Sequence, residues 1–242
     1  MNLPKIRLAL RSLMTGVHSY VFPEYSEPCA DIGSLLSELL DEVGAPKETG
    51  ARFREALPGI RALIQSDVDA IINNDPAVAG RDEVVACYPA VAALLHYRTA
   101  HVLHGLGVPV LPRMLTEYAH STTGIDIHPA ATIGDHFAID HGTGVVIGAT
   151  AVIGSHVTFY QGVTLGARNF RQGPDGRPMD IPRHPIVQDG VTVYSNASLL
   201  GRITIGEGAV IGGNVWLTHS VPAGARVLQG KTQDFFADGA GI

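Results

Sequence analysis

The stretch that decides the fold is IVQDGVTVYSNASLLGRITIGEGAVIGGNVWL, residues 186–217. Within it a large aliphatic residue returns at every sixth position. These residues are Val187, Val193, Leu199, Ile205, Ile211 and Leu217. An α-helix cannot place positions six apart on one face, whereas short strands joined by tight corners can bury them coil upon coil. The repeat therefore predicts a solenoid of stacked β-coils.

The same repeat extends towards the N-terminus with two interruptions. Its earlier aliphatic positions are Ile127, Ile133 and Ile139, then Ile147, Ile153, Phe159 and Leu165. The register slips by two residues between Ile139 and Ile147, and it is suspended over residues 168–185, which are rich in glycine, proline and charge. Insertions into a solenoid form loops, and loops on rigid scaffolds commonly carry function.

The first half of the chain has helical periodicity instead. We expect a buried helix over 84–95, a helix that starts at Asp75-Pro76, where the carboxylate can cap free amides, and a helix from Pro89 to His104. The solenoid is thus preceded by helices whose apolar stripes need a partner.

Composition excludes several classes of function. The formal charge is −6 and there are no runs of like charge, so the sequence predicts no basic patch that could bind nucleic acid or an anionic membrane. No apolar stretch is long enough to span a bilayer, and the N-terminus lacks the apolar core of a signal peptide. The two cysteines, Cys29 and Cys87, are too few for a disulfide framework, so we expect small buried side chains and a cytoplasmic protein.

Six short motifs carry a resemblance to a known family. They are DPAV (75–78), DIHPAA (126–131), DHGTGVVIG (140–148), QGVTLGA (161–167), RHP (183–185) and IGGNVW (211–216). Over residues 67–222 the chain resembles bacterial serine acetyltransferases of the hexapeptide-repeat acyltransferase superfamily. It departs from many relatives at residues 166–169, which read GARN and lie in the region expected to contact coenzyme A.

The resemblance implies an α+β fold, an N-terminal all-α helical domain followed by a left-handed parallel β-helix. We expect the helical domain over 1–124, with a role in oligomerisation, and the acetyltransferase domain over 125–228, with its loop at 168–185. A flexible tail would occupy 229–242. The resemblance also implies a trimer through the β-helices and possible pairing of trimers into hexamers.

The reaction implied is acetyl transfer from acetyl-CoA to the hydroxyl of L-serine. It requires a base for a hydroxyl proton, and imidazole titrates in the right range. Within DHGTG the family pattern makes His141 this base. Asp126, fifteen residues earlier and so nearly one coil away, would orient the imidazole, although an aspartate there could instead cap the first coil.

Serine is a zwitterion, so its site needs carboxylates for the ammonium and cations for the carboxylate. Asp75 and Asp140 suit the first task, and Arg183 and His184 suit the second. Without the resemblance, a helix cap is the better interpretation of Asp75. Family position nominates four small residues for coenzyme A, each of which could also be a corner or packing residue. They are Gly166, Ala167, Ser195 and Gly213.

Two regulatory partners follow from the resemblance. L-Cysteine shares the amino and carboxyl groups of serine and would act as a feedback inhibitor. The last two residues, Gly241 and Ile242, match the ending that family members insert into O-acetylserine sulfhydrylase.

Two other functions remain open. The fold and cofactor would be unchanged if the acceptor were a sugar or another amino acid. His136 and His141 are spaced like zinc ligands of carbonic anhydrases with the same architecture, but the third histidine is missing, because His101 and His104 fall in a helix. We therefore expect no metal.

Overall fold

The computed structural model describes residues 2–27, 31–46, 48–169, 172–177, 179 and 181–230. All of the α-helices within these residues precede the strands. They are α1 (Leu3–Val21), α2 (Ile32–Val43), α3 (Thr49–Asn74), α4 (Arg81–Cys87), α5 (Pro89–Gly105) and α6 (Leu111–Thr123). A short 3-10 helix, Pro23–Tyr25, follows α1. No helix among the described residues is long and apolar enough to cross a membrane.

Three local predictions for the helical region need correction. Residues 84–95 are not one helix, because Tyr88 precedes Pro89 and takes an extended conformation that separates α4 from α5. Asp75 does not start a helix; it ends α3, and its carboxylate accepts a hydrogen bond from the Ala77 amide in the turn that follows. Cys87 is exposed rather than buried, and Cys29 lies outside the described residues. The predicted helix from Pro89 is confirmed and reaches Gly105.

The second half forms three parallel sheets, in agreement with the left-handed parallel β-helix predicted from the repeat and the resemblance. Sheet 1 contains β1 (Asp126–Ile127), β4 (Val146–Ile147), β7 (Thr164–Gly166), β10 (Ser198–Leu200) and β13 (Trp216–Leu217). Sheet 2 contains β2 (Thr132–Ile133), β5 (Val152–Ile153), β8 (Ile186–Val187) and β11 (Thr204–Ile205). Sheet 3 contains β3 (Ala138–Ile139), β6 (Thr158–Phe159), β9 (Thr192–Val193), β12 (Val210–Ile211) and β14 (Arg226–Val227).

The three sheets form the sides of a triangular prism. The residues of the six-residue repeat form its core. Every aliphatic or aromatic repeat position from Ile127 to Leu217 is at most 7% exposed. In sheet 1, Leu199 pairs with Leu165 on one side and with Leu217 on the other. Equivalent residues of successive coils therefore lie directly above one another.

Three columns of corners join the sheets. The first corner, from sheet 1 to sheet 2, comprises residues 128–131, 148–151, the described residues between β7 and β8, and residues 201–203. The second corner, from sheet 2 to sheet 3, comprises residues 134–137, 154–157, 188–191 and 206–209. The third corner, from sheet 3 to sheet 1, comprises residues 140–145, 160–163, 194–197 and 212–215. Predicted loop 168–185 thus begins and ends at the first corner.

A buried ion pair joins the helices to the first coil. Arg98 on α5 donates to both carboxylate oxygens of Asp67 on α3, at 3.1 and 2.9 Å, and to the carbonyls of Ile133 and Gly134 at 2.6 Å each. Asp67 also accepts from the Phe137 amide at 3.0 Å. Burial raises the pKa of the Asp67 carboxyl, and the charge of Arg98 opposes that shift. This contact fixes the helical region on the second corner.

We predict that Arg98→Ala lowers the free energy of unfolding by about 3–5 kcal/mol, because it leaves the Asp67 carboxylate buried without its cation. Urea denaturation measures the change. Arg81→Ala is the matched control, since the Arg81–Asp69 pair is partly exposed and should contribute less than about 1 kcal/mol. Equal losses in the two variants would contradict a structural role for the buried pair.

Candidate active site

Asp140 and His141 follow β3 at the start of the third corner. His141 Nε2 lies 3.8 Å from Asp140 Oδ1, and the histidine side chain is 70% exposed. The backbone of His141 is left-handed, with φ of 56°, a conformation that histidine, asparagine and aspartate tolerate better than most residues. The corner thus presents an imidazole beside a carboxylate.

Asp75 reaches the same corner from the helical region. Its Oδ2 accepts a hydrogen bond from the Tyr88 hydroxyl at 2.5 Å, and its Oδ1 accepts from the Ala77 amide at 2.8 Å. The Tyr88 bond is the main reason that the pKa of Asp75 lies below its ordinary value, and the charge of His141 lowers it further. The same bond raises the pKa of Tyr88 to about 12. Asp75 is therefore held as a carboxylate facing His141.

Two tyrosines continue the third corner above Asp140. The rings of Tyr160 and Tyr194 stack with centroids 5.0 Å apart. Burial raises the pKa of the Tyr160 hydroxyl, and Tyr194, Asp140 and Asp75 add to that shift. These residues therefore share one electrostatic environment, which combines two carboxylates, one imidazole and a polar aromatic wall.

Arg183 and His184 lie at the end of the loop, on the first corner. The Thr150 amide donates to His184 Nδ1 at 3.1 Å, and Thr150 Oγ1 accepts from the Arg183 and His184 amides at 2.9 and 3.1 Å. The imidazole packs so closely on Gly148 that a Cβ there would lie 2.1 Å from the ring. Glycine at 148 therefore makes room for His184.

His184 is neutral at neutral pH. Burial, followed by the charges of Arg183, His128 and Arg202, lowers the pKa of His184 to about 4. Because Nδ1 accepts from Thr150, the remaining proton of the neutral ring belongs on Nε2. The first corner thus offers a neutral N–H donor beside the Arg183 guanidinium, an arrangement suited to a carboxylate.

Asp126 lies beside α6. Its Oδ1 lies 3.9 Å from Arg113 Nη1 on α6. Within the part of the chain that the structure describes, no ion pair shorter than 4 Å joins Asp126 to His141, whose nearest carboxylate partner is Asp140. The Asp126–His141 pair stays a prediction.

The nominated substrate-binding residues are therefore divided between two corners of one chain. Asp75 and Asp140 surround His141 on the third corner, whereas Arg183 and His184 lie on the first. Two cavities of about 520 and 540 Å³ lie among α1, α5 and α6, and neither is lined by a nominated residue. The candidate site is thus an open surface of the single chain.

Comparisons with known proteins decide the family. No family model matches the sequence. The plasmid-encoded serine acetyltransferase of Synechococcus elongatus is 52% identical over 192 residues, which cover 78% of this chain and 60% of that relative. The serine acetyltransferase of Bacillus subtilis is 40% identical over 166 residues, 69% of this chain and 73% of the relative. The chain belongs to the serine acetyltransferase family.

Solved structures of serine acetyltransferases support the same assignment. Isoform 3 from Entamoeba histolytica, in complex with cysteine, has a TM-score of 0.79 and 31% identity, and the match covers 94% of this chain and 84% of that one. The soybean enzyme in complex with serine has a TM-score of 0.69 and 31% identity, with coverage of 91% and 81%. The family, the fold and the acyltransferase class predicted from the sequence are confirmed.

The four residues nominated for coenzyme A flank sheet 1. Gly166 ends β7, and Ala167 begins the first corner. Ser195 and Gly213 are neighbours on the third corner, where a Cβ at 213 would lie 3.2 Å from the Ser195 carbonyl oxygen. The face of sheet 1 between them includes Trp216, which is 73% exposed. Their binding role stays a prediction.

Sequence reasoning missed several residues that complete these corners. The repeat could have found Tyr160 and Tyr194, since they occupy the corner position of Asp140 in the next two coils. It could equally have placed Thr150 below His184. Tyr88 had no such signal, because its contact with Asp75 depends on the packing of the helices. The predicted partner-binding residues, Gly241 and Ile242, lie outside the described residues.

We predict that Tyr88→Phe raises the pKa of Asp75 towards its ordinary value, because the hydroxyl that stabilises the charged carboxylate is removed. A ¹³C NMR titration of the aspartate carboxyls measures the shift. Tyr25→Phe is the matched control, since Tyr25 donates to a different carboxylate, that of Asp82. An unchanged Asp75 titration in Tyr88→Phe would show that Ala77 and His141 alone set the pKa.

Proposed function

We propose that this chain transfers the acetyl group of acetyl-CoA to the hydroxyl of L-serine, which gives O-acetyl-L-serine and coenzyme A, the first step of cysteine biosynthesis from serine. The observation that most directly supports this proposal is the placement of Asp75 and Asp140 around His141. Two carboxylates beside an imidazole suit a substrate whose ammonium is close to the hydroxyl that must lose its proton. The soybean relative in complex with serine supports this choice.

The chemistry assigned to His141 is general-base catalysis. A ring nitrogen accepts the serine hydroxyl proton as the hydroxyl oxygen attacks the thioester carbonyl carbon. The carbon–sulfur bond then breaks, and the proton passes to the departing thiolate of coenzyme A, so that no acyl-enzyme is formed. The carboxylate of Asp140 stabilises the transient imidazolium. Asp126 is retained as the predicted orienting partner of His141.

The carboxylate of serine is assigned to Arg183 and His184. Arg183 supplies positive charge, and the neutral His184 ring donates from Nε2 without adding a second cation. L-Cysteine would compete for the same contacts, since its amino and carboxyl groups are identical to those of serine. The Entamoeba relative in complex with cysteine supports inhibition of this kind.

The division of the site between corners leads us to place it at a contact between copies of the chain. In a three-fold assembly, the third corner of one copy would face the first corner of its neighbour. His141, exposed in the single chain, would then be covered, as would the exposed Trp216 on sheet 1. The function proposed for the β-helix domain, 125–228, is therefore catalysis within a trimer, and that for the helical domain, 1–124, includes pairing of trimers.

Three further assignments complete the proposal. Gly166, Ala167, Ser195 and Gly213 would line the cleft for acetyl-CoA on both edges of sheet 1. The tail over 229–242 would carry Gly241 and Ile242 into O-acetylserine sulfhydrylase. The location would be cytoplasmic, as the low cysteine content indicates.

We predict that His141→Asn lowers kcat by about a hundredfold or more, the usual contribution of a general base. Asparagine tolerates the left-handed backbone at this position, so the fold is preserved, whereas alanine would add strain. Release of coenzyme A in the presence of serine measures turnover, with homoserine and sugars as alternative acceptors. Near-wild-type turnover, or a better acceptor than serine, would contradict the proposed function.

Mixing two impaired variants, assayed at a serine concentration below the raised KM of Arg183→Ala, tests the shared site. We predict that Arg183→Ala raises KM for serine far more than KM for acetyl-CoA. Co-refolding equal amounts of Arg183→Ala and His141→Asn should restore about a quarter of wild-type activity, because three in four random trimers are mixed and each contains one intact site in three. A site within one chain would give no recovery beyond the sum of the two variants.

A further inference from the structure

A second histidine cluster lies on the second corner, away from His141. Asp135 and His136 belong to the first coil, and His156 occupies the equivalent position of the next coil. The His156 amide donates to the Asp135 carbonyl at 3.1 Å. The two imidazoles stack with centroids 4.3 Å apart and an interplanar angle of 22°. Their backbones are left-handed, with φ of 52° and 57°, so the corner geometry itself holds the rings together.

The side chains of this cluster converge on a common point. One ligand atom from each of Asp135, His136 and His156 lies within 4.8 Å of the other two. Asp135 Oδ1 and His136 Nδ1 are 3.5 Å apart. Zinc bonds of about 2.0–2.1 Å in tetrahedral geometry would place ligand atoms about 3.4 Å apart. Small side-chain rotations are therefore sufficient to coordinate one ion.

Two of these atoms are buried without a hydrogen-bond partner among the described residues. They are Asp135 Oδ1 and His136 Nδ1. Buried polar atoms normally have a partner, because desolvation without one is costly. A cation bound between them would satisfy both atoms.

The surrounding charge favours a cation. Asp135 contributes a carboxylate beside the two imidazoles, with Oδ1 3.5 Å from His136 Nδ1. One coil further on, Asp189 Oδ1 accepts from the Ser155 amide at 2.8 Å. The cation beneath the corner, Arg98, is already paired with Asp67.

A second cluster of possible metal ligands, on α6 and β1, has surroundings that do not favour a cation. Glu117, His120 and Asp126 also bring one ligand atom each within 4.8 Å of the others. There the Arg113 guanidinium contacts both carboxylates, Glu117 closely and Asp126 at 3.9 Å. The negative charge that would attract a metal ion is thus already neutralised by an arginine.

We propose that Asp135, His136 and His156 bind one divalent transition-metal ion, with Zn²⁺ as the ion best suited to two imidazoles and a carboxylate. The site is structural. It joins the first coil to the second at the place where the His136 amide donates to Ser66 Oγ on α3 at 3.2 Å and the Phe137 amide donates to Asp67. Strand β3 separates it from His141, so the ion does not take part in acetyl transfer.

The test uses the full chain, depleted of metal by a chelator and titrated with ZnCl₂ in a calorimeter. We expect one ion per chain. His136→Asn and His156→Asn should each weaken binding at least tenfold, and asparagine keeps the left-handed backbone. His120→Ala, in the cluster on α6 and β1, is the matched control and should bind like wild type. Zinc should raise the midpoint of thermal unfolding of the wild type but not of the double variant His136→Asn/His156→Asn.

Several results would overturn the proposal. These are an absence of zinc binding by the wild-type chain, unchanged affinity in the double variant, and loss of binding in His120→Ala or His141→Asn instead. If an asparagine variant failed to fold, Co²⁺ titration of His120→Ala would still decide, because tetrahedral coordination by imidazole and carboxylate gives d–d bands far more intense than those of the hexaaqua ion, and their absence would contradict the site. Acetyl transfer by His156→Asn should equal that of the wild type.

Discussion

Each coil of the β-helix hydrogen-bonds to the coils on either side, so the place of a residue in the six-residue repeat fixes its sheet or its corner. Leu165, Leu199 and Leu217 are consequently stacked in one column inside the prism. The same constraint acts outside it, where Asp140 lies below Tyr160 and Thr150 below His184. The stacking of coils alone therefore makes neighbours of groups that are distant in sequence.

The helices add what a solenoid alone cannot supply. The pairing of Arg98 with Asp67 fixes α3 and α5 against the first coil. Asp75, at the end of α3, and Tyr88, just before α5, are thereby held over the third corner. Desolvation offsets much of the attraction between two buried charges, so the pair itself is weak evidence of net stability. Its contacts do define where α3 and α5 lie on the first coil.

Much of this architecture could be predicted from the sequence, because the repeat shows which side chains are buried inside the coils. The register of the repeat predicts both its two-residue slip between Ile139 and Ile147 and the loop after β7. Contacts made by packing were not. The carboxylate of Asp126 turns to Arg113, thirteen residues earlier on a helix, and no periodicity encodes that choice. His136 and His141 are five residues apart, which spans one side of the prism, so their rings lie on different corners. His156 is twenty residues after His136 and therefore lies beside it on the same corner.

The left-handed backbone at His136, His141 and His156 has a consequence for the mutational history of such a chain. At these corners, few residue types other than glycine, asparagine, aspartate and histidine are accommodated without strain. Histidine and asparagine codons differ by a single base. At residue 141 the imidazole of the proposed catalytic base can therefore be replaced by asparagine through one base change without backbone strain, and a screen for stability would not detect that loss.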